Sequence, residues 1–293
     1  MAKERRQLNG KVVAITGGAR GIGKATATAL VRKGCRVALG DLELDLAEQT
    51  AGELGGGTVA LPLDVTNRAS FAKFLDEAER QLGPVDVVIN NAGIMPVTAL
   101  VDESDDSIKR QLDINIYGVI VGCQLAIERF RSRGSGHIVN LASQAGKTPL
   151  PGIATYSGTK HAVVGISESI RAELRDTNIE VHCVMPTLVN TDLTSGLGQK
   201  LIRPVEAEDV AGEIVDALEL GRFDVYVPRY NAAMTWFGNL LPRRAAEAVG
   251  RLMGANKLMF EVDHGARHAY EERAASSEPG LSEAEASPQR DAA

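Results

Sequence analysis

Lys11–Thr16 (KVVAIT) runs straight into Thr16–Gly23 (TGGARGIG), and Ile22–Lys33 follows with apolar residues at helical spacing. The order is a short apolar run, a glycine-rich turn, then an amphipathic helix. An apolar run of this length between turn residues reads as a buried strand. Glycines let the turn be tight and let a ligand approach the backbone where a Cβ would block it. The free amides and positive dipole at the start of the next helix favour a phosphate anion there. A glycine turn by itself also suits an ordinary strand-to-helix connection. The strand before it and the helix after it make it informative.

The same alternation continues along the chain. Arg36–Leu39, Thr58–Leu63, Asp86–Asn90, His137–Leu141, Glu180–Val184 and Asp224–Val227 read as further strands. Helical spacing lies between them at Leu44–Leu54, Phe71–Leu82, Ser107–Phe130, Thr155–Arg175 and Glu208–Leu220. Apolar strands alternating with amphipathic helices predict an α/β fold, a doubly wound parallel sheet of about seven strands with helices on both faces. Ligands of such sheets bind at the carboxyl ends of the strands. One domain is expected over residues 9–228, a helical appendage over 229–268, and a disordered tail over 271–293.

Composition excludes several alternatives. The 293 residues are 44% apolar and 24% charged, which is globular. The net charge of -6 argues against nucleic acid as a partner. Most of it, -4, belongs to Glu271–Ala293. The longest uncharged stretches, Val87–Val101 and Ile114–Ile127, fall short of the roughly 20 residues a spanning helix needs. Met1–Gly10 is charged and has no signal-peptide core. Cys35, Cys123 and Cys183 are widely spaced and suit buried thiols in a reducing cytoplasm, which is the expected location. No metal site is expected. His264 and His268 are four apart beside Asp263, but the segment is polar and lacks an evident third ligand, which favours a solvated surface.

Asp41 closes the second strand, 18 residues after Gly23. A carboxylate there can accept from both hydroxyls of an adenosine ribose and would repel a 2′-phosphate, so it favours NAD over NADP. It could also serve merely as a helix cap. Arg20 opposes it, since a cation in the turn could meet a 2′-phosphate. Asp41 carries more weight, because a carboxylate facing a dianion is costly while a mobile Arg is tolerant.

Further motifs now join the turn. NNAG stands at Asn90–Gly93, Asn115 lies in the long helix, Ser143 follows the fifth strand, and YSGTK spans Tyr156–Lys160. In this order and spacing the chain resembles the short-chain dehydrogenase/reductase family from about Asn9 to Pro228. The resemblance implies a Rossmann-like fold and a nicotinamide cofactor, NAD with NADP as the alternative. It implies cofactor contacts at Gly17, Arg20, Gly21, Ile22, Gly23, Asp41, Asp64, Val65, Asn91, Ala92, Gly93, Tyr156, Lys160, Pro186, Val189 and Thr191. It also implies catalytic roles for Asn115, Ser143, Tyr156 and Lys160. The family usually has Pro-Gly where this chain has Pro186-Thr187, which bears on the local loop path and substrate fit.

Tyr156 and Lys160 are four apart on an expected helix and share a face. A phenol is a poor base at neutral pH, but a nearby ammonium and an oxidised nicotinamide favour the phenolate. Tyr156 then takes a proton from an alcohol as hydride leaves, or returns one to a carbonyl. Ser143 would hold the substrate oxygen. Lys160 would also hold the nicotinamide ribose, and Asn115, by the family's arrangement, a water for proton relay. His161 should point away from this face.

Met95-Pro96, Leu150-Pro151 and Leu188–Leu201 are the expected substrate walls, mainly apolar, with Thr194 and Ser195 for polar contact. They predict a lipophilic secondary alcohol or ketone. The alternatives are an NADPH-dependent 3-oxoacyl-type or carbonyl reductase, and a non-catalytic dinucleotide-binding sensor. Homo-oligomers are expected through the long fifth and sixth helices, dimer and tetramer being equally open; Ala162, Val163, Val164 and Ile166 suit such a contact. Arg229–Lys257 combines five Lys/Arg and Glu247 with apolar residues including Trp236, Phe237 and Leu240. It reads either as peripheral membrane contact or as packing over the cleft or an interface. The second is favoured, because apolar helical stripes usually bury in protein.

Overall fold

The computed structural model describes residues 5–196, 204–242 and 263–276, with residues 244, 245 and 248 between the last two segments. Seven parallel strands form one sheet: β1 (Val12–Thr16), β2 (Arg36–Asp41), β3 (Val59–Pro62), β4 (Val87–Asn90), β5 (Ser135–Leu141), β6 (Asn178–Pro186) and β7 (Asp224–Val227). Their order is β3-β2-β1-β4-β5-β6-β7. β1 and β4 are buried along their whole length, as their unbroken apolar runs require.

Helices α1 (Gly21–Arg32), α2 (Leu44–Leu54) and α7 (Ala207–Leu220) cover one face. Leu30, Ile15, Leu39, Ile214 and Leu218 form its core. Helices α3 (Arg68–Leu82), α5 (Gly118–Arg133) and α6 (Ala154–Glu173) cover the other, around Phe71, Phe74, Phe130, Ile138 and Met185. The chain leaves β1 toward β2 and β3, then returns to β4 on the other side of β1. Neighbouring connections therefore diverge at the carboxyl ends of β1 and β4, which opens a crevice there. The expected doubly wound fold is what forms.

Local differences from expectation have physical causes. The helix expected at Ser107–Phe130 forms as α4 (Asp105–Leu112) and α5, joined by a π-helical turn at Asp113–Tyr117. Such turns widen the helix and often mark functional positions; this one carries Asn115. Val163 and Val164, expected at a subunit contact, are buried in the chain's own core. Helix α8 (Asn231–Leu240) ends two residues before Pro242, which cannot continue it. Helix α9 (His264–Ser276) carries Glu271–Ser276 six residues into the stretch where the sequence predicts disorder. Its inner side chains explain this: Tyr270 and Ala274 are buried against the rest of the protein. Residues 277–293 of the expected tail lie outside the described residues, as do Val249, Leu252 and Met253.

Candidate active site

The glycine turn is built around contacts that admit no side chain. Gly17 and Gly21 have positive φ values of 64° and 52°. A Cβ on Gly23 would sit 2.1 Å from the Gly17 carbonyl oxygen. Asn91, just after β4, ties the turn down: its Nδ2 donates to the carbonyls of Thr16 and Gly17, both at 2.9 Å. The Thr16 hydroxyl accepts from the amides of Asn91 and Ala92 at 3.0 Å. Asn91 thus acts through the backbone that cradles the ligand.

A cleft of about 1010 Å³ opens over this turn. Gly17, Arg20, Gly21, Ile22, Asp41, Asp64, Val65, Asn91, Ala92, Gly93 and Thr191 all line it. Gly23, Tyr156, Lys160, Pro186 and Val189 do not. Gly23 shapes the turn from behind, and Val189 is buried and bridged to Val205. At one end Asp41 accepts from the Ala19 amide at 3.0 Å and the Glu43 amide at 3.2 Å. Burial pushes its carboxyl pKa up and these two bonds counter it. Each oxygen keeps a lone pair for a further donor. Arg20 pairs with Glu43 and, at 3.7 Å, with Asp192. Asp64 uses one oxygen to cap its own turn at Thr66. These glycines, free helix-start amides and the half-buried carboxylate fit a dinucleotide.

Ser143, Tyr156, Lys160 and Asn115 are buried and do not line the cleft; Asn115 lies behind Ile94 and Gly93, which do. Ser143 follows β5, and its hydroxyl accepts from the Ala145 amide at 3.1 Å. Lys160 Nζ lies 5.6 Å from the Tyr156 ring centroid and donates to the Leu141 carbonyl at 2.7 Å. Asn115 sits in the π turn, where it clamps Ile94: its Oδ1 accepts from the Ile94 amide and its Nδ2 donates to the Ile94 carbonyl, both at 2.9 Å. A Cβ on Gly93 would stand 3.2 Å from Asn115 Oδ1 and 3.5 Å from Lys160 Nζ. Glycine there lets the backbone lie close to both.

The protein's own groups do not by themselves give the phenolate expected with an oxidised nicotinamide. Burial pushes the Tyr156 phenol pKa upward, and the nearby Ser143 hydroxyl offsets it only in part. Burial pushes Lys160 down to about 8. The protein's own groups therefore hold Tyr156 as a neutral acid. The charge of an oxidised nicotinamide would add a shift toward phenolate.

A sequence model described as short chain dehydrogenase matches residues 11–201. This chain belongs to the short-chain dehydrogenase/reductase family. It is 29% identical to 17-beta-hydroxysteroid dehydrogenase 13 of Rattus norvegicus over 271 residues, 90% of this chain and 89% of that protein. It is 36% identical to the 3-oxoacyl-[acyl-carrier-protein] reductase of Mus musculus over 216 residues, 71% of this chain and 91% of that one. Among solved structures, a short-chain dehydrogenase/reductase from Burkholderia phymatum in complex with NAD superposes with a TM-score of 0.72 at 25% identity, covering 78% of this chain and 93% of that one. The protein is thus an oxidoreductase of the short-chain dehydrogenase/reductase family with a nicotinamide dinucleotide cofactor. No described helix is long and apolar enough to cross a membrane.

Two site residues of this short-chain dehydrogenase/reductase escaped the sequence reading. Arg267 is fully buried on α9 and donates to the carbonyls of Leu193 at 3.0 Å, Ser195 at 3.2 Å and Met95. Its guanidinium lies 4.9 Å from the Tyr270 ring centroid, and the Tyr270 hydroxyl accepts from the Met95 amide at 2.7 Å. These contacts strap α9 across the loops after β4 and β6. Arg267, Tyr270 and Ala274 recur at helical spacing, and that was the available signal. The expected walls do gather: Met95, Leu150, Leu188 and Leu193 pack with Tyr156, and Ile153 joins them. Residues 197–201 of the third wall lie outside the described residues.

Thr194 and Ser195 correct the expected polar contacts. The Thr194 hydroxyl is spent on Val189 and Thr191, and Ser195 Oγ donates to Ala266 of α9 at 2.8 Å. Thr187, where the family has glycine, needs no unusual backbone: among the described residues only glycines have positive φ. Its amide donates to Val227 at 2.9 Å, so the loop path is normal. His161 donates from Nδ1 to the Ser157 carbonyl at 2.8 Å, away from the site.

Proposed function

We propose that the protein is an NAD-preferring dehydrogenase and ketone reductase for a lipophilic secondary alcohol or ketone, with Tyr156 as general acid and base. The observation that carries this reading is the surroundings of Tyr156. It is a phenol buried among apolar side chains, near enough to the Ser143 hydroxyl to be eased toward ionisation by it, one helical turn from Lys160. When bound, the nicotinamide supplies the hydride acceptor or donor.

In reduction, Ser143 and Tyr156 hold the carbonyl oxygen and Tyr156 gives it a proton. In oxidation, Tyr156 takes that proton back. Lys160, its pKa lowered to about 8 by burial, passes protons onward on the side where Asn115 and Gly93 lie close to it. Asn115 positions the floor of the site by clamping Ile94. Asp41 supports NAD, as does the engagement of Arg20 by Glu43 and Asp192. The apolar walls exclude water and suit a lipophilic substrate.

A panel of alcohols and ketones with NAD and with NADP, followed by nicotinamide absorbance, tests the assignment. Turnover of lipophilic secondary alcohols with NAD is expected, and Tyr156→Phe should lower kcat by about 10²–10⁴-fold with the fold intact. Activity confined to small polyols, or full turnover by Tyr156→Phe, refutes it.

A further inference from the structure

Helix α8 is inside out. Asn231 and Thr235, four apart, are buried against the protein, and Gln144 Nε2 donates to Thr235 Oγ1 at 2.7 Å. Met234, Trp236, Phe237 and Leu240 instead face solvent, with exposures between 53% and 64%. Tyr230 and Leu241 extend the same apolar surface at either end. Trp236 and Phe237 meet edge to face at 4.9 Å, so two aromatic rings form one exposed knob. A helix folded only for water and its own core would be turned the other way. In sequence, the charge of the stretch that contains α8 is equally one-sided. Residues 229–257 contain Arg229, Arg243, Arg244, Arg251 and Lys257 against Glu247 alone. Arg229 is engaged by Glu213 and Asp216, while Arg244 is exposed.

We propose that α8 docks the protein onto an anionic bilayer surface. Trp236, Phe237 and Leu240 enter the boundary between headgroups and acyl chains, where amphipathic aromatic rings are favoured. The flanking cations meet lipid phosphates and carboxylates. Charge decides between this occupant and a second copy of the chain. A symmetric contact through α8 would bring two basic stretches together, whereas an anionic leaflet brings the opposite charge. The docked face is also next to the site. Gln144, which holds α8 through Thr235, directly follows Ser143. A lipophilic substrate would then reach Ser143 and Tyr156 from the bilayer without crossing water. This last step rests on the proposed substrate class; the docking does not.

The test is flotation of the full chain with vesicles of phosphatidylcholine and with vesicles of phosphatidylcholine and phosphatidylserine. Trp236 is the only tryptophan in the chain, so its fluorescence reports insertion directly. Wild type should float with the anionic vesicles, less so at high salt, with a blue shift of its emission. Trp236→Glu/Phe237→Glu should lower partitioning at least about tenfold while turnover of a water-soluble substrate stays unchanged. Arg244→Glu should weaken binding to the anionic vesicles alone. Absence of flotation and of a spectral shift overturns the docking and leaves the proposed activity standing. So does a double variant that splits a dimer in light scattering but floats like wild type. Docking without turnover of any lipophilic alcohol or ketone overturns the substrate reading alone.

Discussion

Lys160→Met should make this protein inactive and, at neutral pH, no less stable. Burial lowers the Lys160 pKa from 10.5 to about 8. That difference corresponds to about 3 kcal/mol of strain on the folded state whenever the ammonium is charged. Met has similar length and no charge, so the strain disappears. Against this, the Leu141 carbonyl loses its donor at 2.7 Å, which costs about 1–3 kcal/mol. The net expectation at pH 7 is between no change and a gain of about 2 kcal/mol.

The pH dependence separates this effect from general repacking. Between pH 8 and pH 10.5 the unfolded chain still holds the Lys160 proton while the folded protein releases it. Wild-type stability at this residue therefore rises with pH across that window. The Met variant has no such term, so its advantage should shrink steadily from pH 8 upward. Urea unfolding of both proteins at pH 7, 8, 9 and 10 reads the difference, since every other titration cancels between them. A difference that is flat across the window, or a Met variant several kcal/mol less stable at pH 7, refutes the burial argument. It would mean that Lys160 is charged at no cost in the fold.

Other perturbations follow from the same geometry. Asp41→Ala should lower kcat/KM with NAD by about 10–100-fold and leave NADP turnover much less affected, because it removes bonds to a charged acceptor. An unchanged cofactor ratio would point to the NADPH-dependent alternative. Gly23→Ala puts a Cβ 2.1 Å from the Gly17 carbonyl, so the turn must open. Cofactor KM should rise at least about tenfold and stability fall by about 1–3 kcal/mol, checked by initial rates and urea unfolding. Burial, with the neighbouring His137 second, pushes His182 down to about 4 from 6.5. Its stabilising contribution is present above pH 6.5 and is lost as pH falls toward 4, by up to about 3 kcal/mol. His182→Gln should flatten the unfolding profile across that range.

Much of this protein is legible before folding because its motifs are local. The TGGARGIG turn, Asp41 at a strand end and the four-residue step from Tyr156 to Lys160 depend on backbone periodicity, which spacing encodes. The seven strands and the doubly wound order follow from apolar runs alternating with amphipathic ones. Asn115 was readable as a position, but not the π turn that aims it at Ile94, because periodicity does not report a one-residue widening of a helix.

Tertiary structure alone decided three things. Arg267 and Tyr270 became part of the site because α9 folds back over loops more than 70 residues away in sequence. Tyr156 is held further from ionisation than a free phenol because burial outweighs the effect of Ser143, and burial is a property of the packed whole. Helix α8 turned its polar residues inward because Gln144 offers Thr235 a partner there. The sequence by itself marked the proposed residues for hydride chemistry and the glycine turn proposed for the cofactor's phosphates. Packing determined their protonation, what covers them, and which apolar face of the chain is left uncovered.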